Sequence, residues 1–309
     1  MKRSEENFLR IYLRAFRVNQ WIKNLVIFTA LIFSGRLFYY DSLALTVKAF
    51  VIFCLLSSAS YLINDIIDYS YDKKHPYKKN RPIASGQISI FAATGWALGL
   101  TGVSLFLAIF LSWYFFLLSL FFILLHFFYS IYLKRKPVAD IFTISFSFMI
   151  RAYAGEVILG YHIPIWLILT IFFGSLFMAS VKRHSELVVH GSKARESLYR
   201  YSEHFLDFLT YTFGTMTIIA YATYTYMEKP PQIETFSSRF FAGIFPGFEA
   251  RKWMMITIPL VVYGIARYAQ LLYERAQGEQ PEKIVTTDLP LIVMIFLWGV
   301  AIISLIYLF

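Results

Sequence analysis

Cysteine is almost absent: Cys54 is the only one in 309 residues, which excludes a disulfide within the chain and any cysteine-based metal site. Charge is scarce as well. Charged residues make up 16% of the chain, while 58% are hydrophobic and 19% aromatic; an ordinary soluble domain carries about 25% charged residues. Surface that faces lipid needs no polar coat, so this deficit places the chain in the membrane class. Patterns of familiar soluble chemistries are also lacking. There is no P-loop, no dinucleotide-binding glycine fingerprint and no Ser-His-Asp arrangement. The opening MKRSEENFLR is too charged for a cleavable signal peptide. The formal net charge of +10 raises nucleic acid as a partner, but in so apolar a chain the distribution of charge matters more than its sum.

What the chain has instead is long apolar runs. A spanning helix needs about 20 mostly apolar residues, and such runs occur near 24–40, 43–66, 89–110, 112–131, 138–160, 164–182, 205–228, 253–273 and 288–309. The expected fold is therefore all-α and integral to the membrane, a single domain over 1–309 with about nine transmembrane helices. The first run is the weakest, because Gly35 and Arg36 interrupt it. Ahead of it, Leu9, Tyr12, Leu13 and Phe16 recur at helical spacing, with Arg10, Arg14 and Arg17 between them. Residues 1–23 thus read as an interfacial amphipathic segment, apolar face in the acyl region and arginines among phosphates. The alternative is the plain start of the first span.

The 29 Lys and Arg residues orient the bundle. Lys2, Arg3, Arg10, Arg14, Arg17 and Lys23 precede the first span. Lys73, Lys74, Lys78, Lys79 and Arg81 follow the second, and Lys134, Arg135 and Lys136 the fourth. Lys182, Arg183, Lys193, Arg195 and Arg200 follow the sixth, and Arg267, Arg275 and Lys283 the eighth. All of these share one side. The other side holds Lys229, Arg239, Arg251 and Lys252, while Arg36, Lys48 and Arg151 lie within spans. The positive-inside rule makes the first side cytoplasmic, with the N-terminus inside and the C-terminus outside an inner (plasma) membrane.

Three polar clusters sit at that cytoplasmic edge. In Asn64-Asp65-Ile66-Ile67-Asp68-Tyr69-Ser70-Tyr71-Asp72, helical geometry puts Asp65, Asp68 and Asp72 on one face. Three carboxylates on one face repel unless a cation lies between them, and Mg²⁺ prefers oxygen ligands shared with substrate phosphates. Lys73, Lys74, Lys78, Lys79 and Arg81 follow at once, supplying hydrogen-bond donors for phosphate oxygens. A solvated mixed-charge loop end would read the same by spacing alone; the membrane-edge position favours function. The second cluster, Lys182-Arg183-His184-Ser185-Glu186, puts Lys182 and Glu186 at i, i+4, equally a surface ion pair. The third, Tyr129 with Lys134 and Asp140, is also explained by orientation alone. Arg151 lies mid-span, where a charge costs at least about 2.5 kcal/mol, so it should face a polar cavity; Glu156, five residues on, is one partner and carbonyls of a neighbouring helix are another. Cys54, His126 and His162 read as packing or interface residues.

NDIIDYSYD followed by HPYKKNRPIASG resembles the first Asp-rich signature of the UbiA superfamily of intramembrane prenyltransferases, where an NDxxDxxxD motif binds Mg²⁺-diphosphate. The usual members carry a second Asp-rich motif closing the sixth helix. Here Lys182 to Glu186 stand in its place, so its first aspartate has become lysine. With NQWIKN, YSIYLK, IRAYAG, SLFMASVKRHSEL and ARYAQLLYERAQGEQPEKIVTTDLPL, this resembles the decaprenyl-phosphate phosphoribosyltransferase branch from about Asn19 to the C-terminus. Glu156 stands where members often have a small residue, which leaves its role open.

The resemblance implies a pentosyltransferase that moves phosphoribose from 5-phosphoribosyl 1-diphosphate to a polyprenyl phosphate, releasing diphosphate, in the making of cell-envelope arabinose donors. It implies Mg²⁺ as cofactor, with Asp65, Asp68 and Asp72 as catalytic residues and, with Asn64, as metal ligands. Lys73, Lys78, Arg81, Tyr129, Lys134, Asp140, Lys182 and Glu186 would surround the substrates, and Lys23 and Arg151 would hold the lipid phosphate. Loops 67–88 and 183–203 become the cytoplasmic active-site loops. The partners expected are the two substrates and the bilayer, not nucleic acid, with a homo-oligomer left open. Two rivals remain: ordinary prenyl transfer to an aromatic or lipid acceptor, which the missing second Asp motif disfavours, and a transporter for an anionic substrate, which would bring inverted repeats and broken midplane helices.

Overall fold

The computed structural model describes residues 8–75, 78–190, 201–228, 253–275 and 281–308. The charges at Lys2, Arg3, Lys193, Arg195, Arg200, Lys229, Arg239, Arg251 and Lys252, the start of the interfacial segment and parts of both active-site loops lie outside the described residues.

Among these residues every regular element is helical. Helix α1 spans Phe8–Ala15; a 3₁₀ stretch, Val18–Ile27, runs into α2, Phe28–Phe33. There follow α3 (Tyr40–Ile67), α4 (Tyr69–Asp72), α5 (Ile90–Leu111), α6 (Trp113–Ile131), α7 (Ala139–Leu159) and α8 (Ile165–His190). Then come α9 (Glu203–Met227), α10 (Ile258–Arg275), α11 (Pro281–Thr287) and α12 (Leu289–Tyr307). The expected apolar runs from 43 onward fall on helices, whereas the run 24–40 does not hold as one helix: it breaks after Phe33, ahead of Gly35 and Arg36, and helix resumes at Tyr40. α3, α5, α6, α7, α8 and α12 are long and apolar enough to cross a membrane, whereas Val18–Phe33 and Met255–Leu271 are shorter apolar helices. Helix α8 runs eight residues past the expected boundary at 182, carrying the second charged cluster on helix rather than loop.

The long helices are apolar on most faces because lipid cannot satisfy backbone groups, so each segment must bond within itself. Their ends are set locally. Ser89, Ser202 and Asp288 accept from the backbone N–H groups of Ala92, Phe205 and Leu291, satisfying donors that a first turn leaves orphaned. Gly160, with φ of 61°, closes α7 in the left-handed region.

Helix α7 is the centre of the bundle, packing on α2, α3, α6, α8 and the Val18–Ile27 stretch. Hydrophobic force does not join helices in lipid, so close approach and polar contacts must do so. Ser145 and Ser175 hydroxyls lie 2.6 Å apart between α7 and α8. A Cβ added to Gly155 would sit 2.1 Å from the Ile27 carbonyl oxygen. Only glycine lets the N-terminal segment lie this close, and that approach sets Asn24 beside Arg151.

Candidate active site

The Asp-rich segment is not one continuous helix. α3 ends at Ile67, Asp68 sits at the junction with φ −84° and ψ 0°, and α4 begins at Tyr69. The three carboxylates stay close but divide their tasks. Asp65, 4% exposed, accepts from Arg17 at 2.5 Å and from Arg81 at 3.0 Å. Arg81 reaches Asp72 with the same nitrogen at 2.7 Å, bridging two of the carboxylates. Asp68 pairs with Lys134, whose Nζ also lies 3.5 Å from the Asn64 side-chain oxygen. Arginine and lysine thus supply the cations that the spacing of the aspartates requires. Burial pushes the Asp72 carboxyl above the usual carboxylate range, with Arg81 pulling it back and Asp65 adding to the rise.

Across from this wall, α8 presents Lys182, Arg183 and Glu186. Arg183 is 1% exposed. Its Nε donates to Asp140 at 2.7 Å, its Nη1 to Glu186, and its Nη2 lies 3.4 Å from the Tyr129 hydroxyl. Glu186 thus takes a guanidinium at i, i−3 as a partner. Asp140, fully buried, also accepts from Tyr201 at 2.8 Å and from the Ile141 N–H at 2.9 Å.

Towards the membrane interior the chamber ends at Arg151. Its Nε donates to Asn24 at 2.7 Å, its Nη1 to the Ser147 carbonyl at 2.7 Å and hydroxyl at 3.0 Å. The guanidinium also lies 4.7 Å from the Phe122 ring centre, a favourable cation–π distance. Glu156 is not its partner: it accepts from the Ile163 N–H and pairs with His162, both at 3.0 Å. Glu156 thus fastens the α7–α8 turn.

These groups enclose a cavity of about 570 Å³. Of the residues singled out from sequence, Lys23, Asn64, Asp68, Asp72, Lys78, Arg81, Tyr129, Lys134, Arg151, Lys182 and Glu186 line it. Asp65, Lys73 and Asp140 do not. Asp65 lies behind Arg17 and Arg81; Lys73 is exposed, its Nζ 4.6 Å from the Tyr69 ring centre; Asp140 is sealed behind Arg183. Sequence reasoning passed over Arg17, Tyr61, Ser147 and Arg183, which also line the cavity, and Tyr201. By sequence Arg17 reads as an interfacial charge and Arg183 as part of a charge run. Nothing in local spacing distinguishes either from a solvated arginine.

For a magnesium ion the donor set fits. Among the described residues no three His, Cys, Asp or Glu side chains converge as a ready-made cage. Mg²⁺ does not require one, since it commonly takes one or two carboxylates and completes its shell with substrate phosphates and water. Asn64, Asp68 and Asp72 offer hard oxygen donors on the cavity wall.

Residues 25–185 match the family model described as the UbiA prenyltransferase family. The chain belongs to the UbiA prenyltransferase family. A decaprenyl-phosphate phosphoribosyltransferase of Corynebacterium glutamicum is 31% identical, over 96% of this chain and 86% of its own length. One from Mycolicibacterium smegmatis is 33% identical, over 95% and 91%. Among solved structures, a UbiA homolog from Archaeoglobus fulgidus bound to GPP and Mg²⁺ superposes with a TM-score of 0.68 at 20% identity, covering 96% of this chain and 99% of that one. In this chain the end of α3, the α6–α7 turn and the latter part of α8 all line one chamber walled by α7.

Proposed function

We propose that this UbiA-family chain is a polyprenyl-phosphate phosphoribosyltransferase, which moves 5-phosphoribose from 5-phosphoribosyl 1-diphosphate to a polyprenyl phosphate of decaprenyl type and releases diphosphate. One observation carries the reading: a carboxylate wall, Asp68 and Asp72, faces a wall where Lys182 and Arg183 stand beside Glu186. A donor with both a diphosphate and a 5-phosphate needs more cations than a prenyl diphosphate does, and the second wall supplies them. The names of the relatives, at 31% and 33% identity over nearly the whole chain, support the same chemistry.

Asn64, Asp68 and Asp72 would hold Mg²⁺, with Asp65 acting through Arg17 and Arg81. When bound, the metal neutralises charge on the departing diphosphate. The chain's own residues do the rest. Lys78, Arg81, Lys134 and Lys182 bind the donor phosphates and stabilise the charge that gathers on the leaving group as the ribose carbon becomes oxocarbenium-like. Tyr129 and Glu186 border the ribose. Lys23 and Arg151 hold the acceptor phosphate at the inner end, where desolvation strengthens the attraction. That phosphate is already an anion and attacks without a general base, so the main task is holding two anions in line. The isoprenoid tail runs outward between apolar helices.

The topology that goes with this reading has nine spans in one membrane domain of the inner membrane, N-terminus and site cytoplasmic, with the segments 67–88 and 183–203 bordering the donor, the first part of the second carried on α8. The product belongs to the class that feeds arabinose donors of the cell envelope. The test incubates purified protein with Mg²⁺, a polyprenyl phosphate and 5-phosphoribosyl 1-diphosphate, with Asp68→Ala as control. Mass spectrometry should find the phosphoribosyl lipid only with the unaltered chain. Product from a prenyl diphosphate and an aromatic acid instead would replace this reading by ordinary prenyl transfer.

A further inference from the structure

Val138 has a φ of 67° and a ψ of −49°. The Ala139 N–H donates to the Pro137 carbonyl at 2.7 Å, which closes a three-residue γ-turn of the rare, strained kind. Such a conformation in a β-branched residue persists only where its surroundings impose it, and it gathers at functional sites. Here the imposing group is the Tyr201 hydroxyl. It accepts from the Val138 N–H at 2.6 Å and donates to the Asp140 carboxylate at 2.8 Å. Burial, reinforced by the Asp140 carboxylate, raises the Tyr201 phenol above its ordinary range, so the donor proton stays in place. The opposite oxygen of Asp140 takes Arg183, and Arg183 lines the cavity with Glu186 and Tyr129.

We propose that Tyr201 is a positioning residue for donor binding: its hydroxyl holds the strained turn at Val138 and the Asp140 carboxylate, which together set the Arg183 guanidinium against the donor's phosphates. The proposal rests on the phosphoribosyl-transfer reading and adds a residue to it. Pro137, Val138 and Asp140 lie at the start of α7 and Tyr201 just ahead of α9, so the hydroxyl ties the approach to α9 to the start of α7 and, through Asp140, to Arg183 on the second cavity wall. Without it the turn relaxes, Asp140 shifts with the first turn of α7, and Arg183 loses its fixed direction.

Tyr201→Phe tests this, because it keeps the ring and its stacking on Phe205 and removes only the hydroxyl. The KM for 5-phosphoribosyl 1-diphosphate should rise about tenfold, the usual scale for losing a group that orients a binding residue, while the KM for polyprenyl phosphate holds. Glycine adopts positive φ without strain, so Val138→Gly in the Tyr201→Phe background should restore much of the donor KM. Unchanged kinetics in Tyr201→Phe, an equal loss of rate with both KM values constant, or a double variant no better than the single one would each overturn the proposal. Calorimetric binding of inorganic diphosphate with Mg²⁺ runs alongside. If the unaltered chain transfers no phosphoribose, the functional reading fails, yet weaker diphosphate binding by Tyr201→Phe still supports the positioning role and equal binding still overturns it.

Discussion

Asn24 accepts a hydrogen bond from Arg151 Nε at 2.7 Å, joining two buried groups that lie 127 positions apart in sequence. Asn24 also accepts from the Ser57 hydroxyl at 3.2 Å and donates to Cys54 at 3.3 Å. One amide therefore ties the N-terminal segment, α3 and α7 at the inner end of the cavity. Asn24→Leu should cost about 1.5–3 kcal/mol, the range for hydrogen bonds to charged groups. Thermal unfolding in detergent would read the loss, and a midpoint equal to that of the unaltered chain would refute the structural role.

Gly155→Ala acts on the same junction from the other side. The added Cβ meets backbone, the Ile27 carbonyl, at 2.1 Å, so the N-terminal stretch must move away from α7 and carry Asn24 with it. The variant should lose more stability than Gly99→Ala, where the added carbon meets nothing within 4 Å. Comparable midpoints for the two alanine variants would show that the close approach is not required.

The two aspartate positions should separate in their metal dependence. Asp68 faces the cavity; Asp65 is buried behind Arg17 and Arg81. Asp68→Asn should raise the Mg²⁺ concentration needed for half-maximal rate by at least about tenfold, as loss of a ligand does. Asp65→Asn should instead weaken donor binding by loosening Arg81, with little change in the Mg²⁺ requirement. Titrating activity against Mg²⁺ after chelator treatment distinguishes them, and a larger metal shift from Asp65→Asn would make that residue the ligand.

Asp72 gives a pH signature in metal-free buffer. Its carboxyl is held above the ordinary range by burial. A raised folded-state pKa favours the folded protein below the unfolded value of about 3.9, and that advantage is lost as pH rises through the folded value. Ionised Asp72 is therefore a cost to the fold at neutral pH. Asp72→Asn should abolish transfer yet match or exceed the unaltered chain in stability at pH 7, with the difference shrinking towards pH 4. A variant less stable at neutral pH than at pH 4, relative to the unaltered chain, would show that the pairing with Arg81 dominates.

Lys182→Asp restores the carboxylate that the second motif of the family usually carries. It removes a cation from the wall that the proposed function sets against the donor phosphates, and phosphoribosyl transfer should fall by about two orders of magnitude or more, as when a charge stabilising the transition state is lost. Full retained activity in the mass-spectrometric assay would sink the assignment of this wall to the donor's phosphates.

Composition and period were enough to decide that this chain is a helical membrane protein, because lipid permits few charges and demands that backbone groups bond within each segment. The Asp-rich signature and the lysine at 182 were likewise visible, since their meaning lies in residue type and short spacing. Direction was not visible. Asp65 and Asp68 are three residues apart, yet one is buried against Arg17 and Arg81 while the other faces the cavity, and the break of α3 at Ile67 decides which. Arg17 and Arg183 look like interfacial charges until the chain folds and gives them Asp65 and Asp140. A helix register fixes which residues share a face; only the packing of distant segments fixes what that face meets. The strained turn at Val138 and the hydroxyl of Tyr201, 63 residues apart in sequence, make sense only once the bundle has brought them together.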